Sequence, residues 1–206
     1  MPLIPTLLLA ATTTTADPAG LLAAASPDLP SMAALVAQTA APETEEPAVG
    51  WGTRDSWRWA IHGGYAWDVK RSENTLGLIG VEFDYFLEDN LSLDFGFNVL
   101  GVDQRGDNAT GANFTLQLRW HFAAREDWSM FIEGGAGLLW TSENVPIGGS
   151  EFNFTPQAGL GMSIDAGSQR RWLIGVRWHH ISNASLYDTN PGRDSIMLWT
   201  GLSFPF

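Results

Sequence analysis

The sequence predicts an all-β fold, an eight-stranded antiparallel up-and-down transmembrane β-barrel. From Trp51 onward, apolar and polar residues alternate with a period of two, which is the side-chain repeat of a β-strand. The 206 residues include ten tryptophans and 22 glycines, a combination typical of barrels with aromatic girdles and a tight interior. The sequence has no run of about 20 apolar residues for a transmembrane helix, so a membrane-spanning chain must use strands.

Eight segments show the alternation, and we expect one strand in each. They are 57–69, 76–86, 91–102, 113–123, 129–140, 152–164, 172–182 and 194–206. In the fourth segment, Phe114, Leu116 and Leu118 alternate with Thr115 and Gln117, so one face is apolar and the other polar. Segments of about 10–13 residues are long for a soluble sandwich and suit tilted strands that cross a membrane.

The polar faces and the connections favour an outer-membrane barrel. A narrow closed lumen needs small residues and ion pairs, and the polar faces supply Glu82, Asp84, Asp94, Arg119, Glu133 and Arg177. Short connections, such as 87–90, alternate with longer polar ones, such as 103–112, as expected for periplasmic turns and external loops. The terminal Phe206 resembles the outer-membrane assembly signal. We therefore expect the protein in the bacterial outer membrane.

Residues 1–50 differ in composition from the remainder. They are rich in Ala, Thr and Pro and contain no Lys or Arg. We predict a signal-like leader and a disordered linker there, and a barrel enzyme domain over 51–206. The start has a short apolar run without a positive n-region, so a cleaved export signal and an exported chain with a different true start both stay open.

Charge and cysteine content exclude some functions. The net charge of −12 argues against nucleic-acid partners, because binding phosphates needs clustered Lys and Arg. The absence of cysteine excludes disulfides and thiolate metal sites. His179 and His180 are neighbours on a strand and point opposite ways, so they do not predict a metal site either.

The segment 177–194 holds the residues that can carry chemistry. His180 and Ser182 share the apolar, outward parity of the seventh strand, with Cα atoms about 6.5–7 Å apart. An imidazole nitrogen can reach a serine hydroxyl at that spacing. Residues 190–192 are Asn-Pro-Gly, a turn signal that returns the chain so that Asp194 lies on the same face.

These three residues predict a serine esterase. Ser182 would be the nucleophile, His180 the general base, and Asp194 the carboxylate that orients the imidazole. A His-x-Ser pair alone is common, but the added acid, turn and shared parity favour catalysis. A polar trio on the lipid side is also hard to explain as structure, because that side should carry no charge at depth.

The same residues carry a family resemblance. The run His180-Ile-Ser182-Asn183, followed by Asn190-Pro-Gly and the acid Asp194, resembles the signature of the lipid A 3-O-deacylase family. The resemblance implies an eight-stranded outer-membrane barrel that cleaves the ester-linked 3-hydroxyacyl chain at the 3-position of lipid A, without a metal or organic cofactor. His180 and Ser182 match the catalytic pair. Asp194 stands where the best-known member has Glu, so it must be placed closer to the imidazole.

The resemblance also implies further site residues and partners. Asn190 matches a residue implicated in oxyanion stabilisation, and the backbone amide near Ser185 could assist. Ser185 stands where a glycine is common, and the role of Asn183 in the motif is open. The implied partners are lipid A of lipopolysaccharide and outer-membrane lipids, with no nucleic acid and with a homodimer as a possibility.

Two residue types near the site have weaker interpretations. Arg193 could meet a phosphate of lipid A or be an ordinary loop charge. Tryptophan is expected in belts at the membrane interfaces, and we assign to them Trp57, Trp59, Trp120, Trp128, Trp140, Trp172, Trp178 and Trp199.

The sequence is also compatible with two other functions. The chain could be a non-catalytic barrel that scaffolds the outer membrane, its triad having lapsed with the change from Glu to Asp at position 194. It could also be a soluble β-sandwich that binds a ligand, because a sandwich shows the same alternation.

Overall fold

The computed structural model describes residues 52–71 and 74–206. The predicted leader and linker, residues 1–50, lie outside the described residues. Within the described part, no helix has the length and hydropathy needed to cross a membrane. The strands are β1 (Trp57–Asp68), β2 (Thr75–Glu88), β3 (Leu91–Asp103), β4 (Ala109–Ala124), β5 (Trp128–Val145), β6 (Ser150–Phe154), β7 (Gln157–Asp165), β8 (Arg171–Ile181) and β9 (Arg193–Pro205).

These strands form one closed antiparallel sheet. β1 pairs with both β2 and β9, and the ladder continues around to the pairing of β4 with β5. β6 and β7 both pair with β5, so they are two halves of one strand, interrupted at Thr155 and Pro156. Proline cannot donate to a ladder, which explains the break. Counted this way the barrel has eight strands, and the predicted fold class is confirmed.

Apolar side chains cover the outside of the barrel and polar ones fill the inside. In β4, Thr115, Gln117 and Arg119 are buried, whereas the alternating Leu116 and Leu118 are exposed. A soluble sandwich buries its apolar faces, so that alternative was wrong. An apolar surface around a polar interior is what a lipid-facing barrel requires.

A charged network occupies the lumen, as the polar faces predicted. The Arg119 guanidinium lies 2.9 Å from Glu82, 3.2 Å from Asp94 and 3.0 Å from Glu133. Arg177 lies 2.8 Å from Glu133. All five side chains are buried, so each charge depends on its partners for compensation. The network ties β2, β3, β4, β5 and β8 together across the lumen.

Trp199 is also in the lumen, so its assignment to an interfacial belt was wrong. It is 4% exposed, and its ring lies 5.5 Å from the guanidinium carbon of Arg119 and 4.9 Å from that of Arg177. A Cβ at Gly175 would lie 2.4 Å from the Trp199 indole nitrogen, so glycine there leaves room for the ring. Residue 199 has the inward parity of β9, which the sequence pattern already contained.

The loop that carries the predicted site residues lies at the same end of the barrel as the β5–β6 hairpin. The connection between β8 and β9, residues 182–192, is the longest between two described strands, with eleven residues. β5 extends to Val145, five residues beyond its predicted end, so the β5–β6 hairpin rises beside that loop. The Thr189 hydroxyl donates to the Gly148 carbonyl and joins the two. The predicted site residues therefore lie at a rim built from two contacting loops.

Candidate active site

His180 and Asp194 face each other directly across the β8–β9 pair. Side chains of directly opposed residues lie on the same face of a sheet, about 4.5–5.5 Å apart at Cβ. Both are half-buried on the outer face, with 24% and 25% of their side chains exposed. The Nδ1 atom of His180 lies 2.8 Å from Oδ1 of Asp194, so the shorter acid does reach the imidazole.

Ser182 lies just beyond the end of β8 and keeps the outward parity of His180. Its backbone is held by an isolated bridge to Phe154, with N–O distances of 3.1 and 2.7 Å. Over residues 52–71 and 74–206, no hydrogen bond joins the Ser182 hydroxyl to His180. Such bonds are often long until substrate binds. The structure thus joins the candidate base to the candidate acid and places the candidate nucleophile on their face.

The break in the β6–β7 strand lies directly beside the candidate base. The amide of His180 donates to the Pro156 carbonyl at 2.9 Å, and proline has no N–H to return the bond. A Cβ at Gly192, on the other side, would lie 3.4 Å from Cε1 of His180. The imidazole therefore sits between a strand break and a glycine whose φ of 55° places it in the left-handed region.

Asn183 organises the loop that carries the other predicted residues. It is buried, and its backbone amide donates to Asn190 Oδ1 at 3.1 Å. Its side-chain oxygen accepts from the Ser185 amide at 3.0 Å. Its side-chain nitrogen donates to the Thr189 carbonyl at 2.8 Å and to Ser150 Oγ at 3.0 Å. This motif residue, whose role was open, fixes the loop on both sides of its turn.

The two predicted oxyanion donors, Asn190 and the Ser185 amide, differ in whether their N–H groups already donate to an acceptor. Asn190 uses its side-chain oxygen toward Asn183, and in the described chain its Nδ2 group donates to no protein acceptor. The Ser185 amide already donates to Asn183. Ser185 has a φ of 61°, a left-handed conformation that favours glycine, which explains why glycine suits this position. In this conformation the Asn190 amide is the more available donor.

Two residues outside the predicted catalytic and oxyanion residues surround Asp194. The Trp178 indole nitrogen donates to Oδ1 at 3.2 Å, and Lys70 Nζ lies 3.3 Å from Oδ2. Trp178 has the same outward parity as His180, as the sequence pattern predicted, but parity alone does not indicate a bond to Asp194. Lys70 follows β1, far away in sequence, and only the closing β1–β9 register brings it near. A backbone bond of 2.9 Å from Val69 to the Asp194 carbonyl continues that register.

Arg193 does not face the lipid, so neither earlier interpretation of it holds. It is 1% exposed and points into the lumen, because it is adjacent to the outward-facing Asp194 on β9. Its Nε donates to Ser195 Oγ at 3.3 Å. A contact with a phosphate group at the outer surface is therefore excluded.

Comparison with known proteins identifies the family. A sequence model of the family described as lipid A 3-O-deacylase (PagL) matches residues 48–203, about three quarters of the chain. The chain belongs to this family. No curated protein sequence gives a significant match.

Solved structures share the fold. The chain is similar to the outer membrane enzyme PagL, with 22% identity over 69% of this chain and 97% of that chain, and a TM-score of 0.58. It is also similar to Neisserial surface protein A, with 14% identity over 75% of this chain and 99% of that chain, and a TM-score of 0.56. The chain is similar, too, to the N-terminal β-barrel domain of Pseudomonas aeruginosa OprF, with 15% identity over 74% of this chain and 100% of that domain, and a TM-score of 0.52. Family and fold place this lipid A 3-O-deacylase family member in the outer membrane, as predicted.

Proposed function

We propose that this protein is an ester hydrolase that removes the 3-O-linked 3-hydroxyacyl chain from lipid A, using Ser182, His180 and Asp194. The observation that carries the proposal is the 2.8 Å hydrogen bond between His180 and Asp194 on the lipid-facing surface, with Ser182 two residues away on the same face. Family membership supports the substrate and the class of reaction. The alternative of a non-catalytic barrel with an inactive triad is less well supported, because Asp194 still reaches the imidazole of His180.

The reaction follows from the proposed roles. Ser182 Oγ attacks the ester carbonyl carbon while His180 Nε2 takes its proton, and Asp194 stabilises the resulting imidazolium. The tetrahedral intermediate collapses by breaking the bond to the 3-position oxygen, which receives the proton from His180. An acyl-enzyme remains on Ser182. Water, deprotonated by His180, then releases the 3-hydroxy fatty acid and restores the serine.

Asn190 would stabilise the negative charge that develops on the carbonyl oxygen. Its Nδ2 group donates to no acceptor in the described chain, while its oxygen is fixed by the Asn183 amide. A donor that is held in place before the reaction stabilises an oxyanion at little reorganisation cost. For Ser185 we propose a turn-forming role, and an oxyanion contact from its amide would first require release of Asn183.

The barrel wall offers a place for the acyl chain. A groove of about 700 Å³ on the outer face is lined by apolar side chains, including Val176, Leu198 and Tyr65. Val176 lies four residues below His180 on β8, which corresponds to about 13 Å along the strand. A chain whose ester lies at Ser182 could thus extend along the apolar wall, where the membrane already supplies the hydrophobic surroundings.

Mass spectrometry of lipid A tests the proposal. Purified protein in detergent is incubated with lipid A, and the wild type is compared with Ser182→Ala and with Ser168→Ala as a matched control in a distant turn. We expect wild type and Ser168→Ala to release one 3-hydroxy fatty acid per lipid A, and Ser182→Ala to release none. Unchanged lipid A with the wild type, or equal release by Ser182→Ala, would overturn the proposal.

A further inference from the structure

We infer that Trp178 is a positioning residue of this site, one that holds the Asp194 carboxylate and the His180 imidazole in the orientation that base catalysis requires. The inference rests on the proposed function insofar as His180 is taken as the base. It assigns to Trp178 a task that differs from anchoring the barrel in the membrane interface.

Trp178 contacts both partners of the acid–base pair. Its indole nitrogen donates to Asp194 Oδ1 at 3.2 Å, the same oxygen that receives His180 Nδ1 at 2.8 Å. Its ring lies nearly parallel to the imidazole, with centroids 5.6 Å apart and an interplanar angle of 25°. One rigid side chain thus limits rotation of the imidazole and also holds the oxygen that this imidazole faces.

The His180–Asp194 pair depends on neighbouring side chains such as Trp178 because it lies on the outer wall of the barrel. Asp194 and His180 face outward on a lipid-exposed wall, where the lumen network cannot reach them. Among the described residues, Lys70 also donates to Asp194, but its side chain is 70% exposed and bonds the opposite oxygen, Oδ2. A flexible, solvated ammonium is a weak constraint. An indole N–H, by contrast, donates in a single direction that the rigid ring fixes.

Trp172 provides a matched comparison on the same strand and the same face. Its indole nitrogen donates at 2.7 Å to Thr200 Oγ1, a neutral hydroxyl on β9. It lies six residues from Trp178, about 20 Å along β8. Both tryptophans therefore make a cross-strand bond from the outer wall, but only one of the two bonds ends on the candidate catalytic acid.

Kinetics on lipid A separate positioning from binding. For Trp178→Phe we expect kcat to fall about 10- to 100-fold with KM within about twofold, because the interaction acts on the reacting groups. Benzothienylalanine at position 178 keeps the ring and removes only the N–H, and it should give a smaller fall in the same direction. Trp172→Phe should match the wild type. An unchanged kcat in Trp178→Phe, or a loss confined to KM, would overturn the inference.

A double-mutant cycle adds a readout that a structural role would not give. In an Asp194→Ala background, Trp178→Phe should cause little further loss, because the group that it positions is gone. An equal fold-loss in both backgrounds contradicts positioning through Asp194. Folding of every variant is checked by gel migration without heating. If Trp178→Phe does not fold, the same kinetic comparison is made with the benzothienylalanine variant, which keeps the ring.

Histidine NMR tests the geometry without relying on activity. In ¹⁵N-histidine-labelled protein in micelles, the His180 Nδ1 proton should resonate far downfield and exchange slowly in the wild type and in Trp172→Phe. In Trp178→Phe that signal should broaden or exchange faster. An identical signal in Trp178→Phe overturns the inference. If the NMR result holds while the wild type leaves lipid A intact, the proposed function fails and the positioning of His180 by Trp178 stands.

Discussion

His180 Nδ1 lies 2.8 Å from Asp194 Oδ1, across adjacent strands and on the wall of the barrel that faces lipid. The lumen has its own charged network around Arg119, so the outer pair is separate from the groups that hold the barrel together. The pair lies beside the longest loop between two described strands, where the proposed base would be accessible from the membrane.

The acid should be essential as a carboxylate. Asp194→Asn should lower kcat by about 10³- to 10⁴-fold, because an amide can favour the wrong imidazole tautomer and cannot stabilise the imidazolium. Asp194→Glu should retain activity within about tenfold, since the family resemblance places Glu at this position. Release of 3-hydroxy fatty acid from lipid A measures both. The exposed loop change Asp188→Asn is the control, and an Asp194→Asn variant with half of the wild-type rate would contradict the role.

Asn190 can be tested with a change that preserves the loop. Asn190→Asp keeps an oxygen to accept from the Asn183 amide but removes the Nδ2 donor. We expect kcat to fall about 10²- to 10³-fold, the usual effect of removing one oxyanion donor, with the urea unfolding midpoint little changed. A normal kcat would show that another group stabilises the oxyanion. A large loss of stability would instead indicate that the charge disturbs the loop.

Position 185 should prefer glycine. Because Ser185 has a φ of 61°, Ser185→Gly should relieve backbone strain and stabilise the barrel by about 0.5–1 kcal/mol without lowering kcat. Ser168 has a φ of 52° in the turn between β7 and β8, so Ser168→Gly is the matched control. Urea unfolding and lipid A hydrolysis are measured for both. Lower activity in Ser185→Gly alone would mean that the serine side chain contributes to the reaction.

The lumen network should dominate stability. Arg119→Met leaves the carboxylates around it without their shared cation, and we expect a loss of about 3–5 kcal/mol in the free energy of unfolding. Arg125→Met, in an exposed turn, should change it by less than about 0.5 kcal/mol. Urea titration followed by tryptophan fluorescence compares the two. Equal stability of the two variants would show that the lumen charges are compensated in another way.

The strand period alone predicted most of the fold and the outward face of the site. His180, Ser182 and Asp194 could be assigned to one wall because a strand alternates its side chains strictly. Trp199 was wrongly assigned to an interfacial belt because it is a tryptophan, although its position in the alternation of β9 places it in the lumen. Arg193 was taken for a loop residue because the start of β9 was placed one residue late. Lys70 could not be foreseen, because its contact with Asp194 depends on the closing register and on the rotamer of a long side chain.

The central claim is that His180 activates Ser182 as a nucleophile on the outer wall. The most direct measurement uses a long-chain alkyl fluorophosphonate, which reacts with activated serines, on the folded protein in micelles. The tryptic peptide 178–193 is then analysed by fragment mass spectrometry. We predict one phosphonyl group on Ser182 in the wild type and none in His180→Ala. Labelling of Ser185 instead, equal labelling in His180→Ala, or no labelling of the wild type would contradict the account.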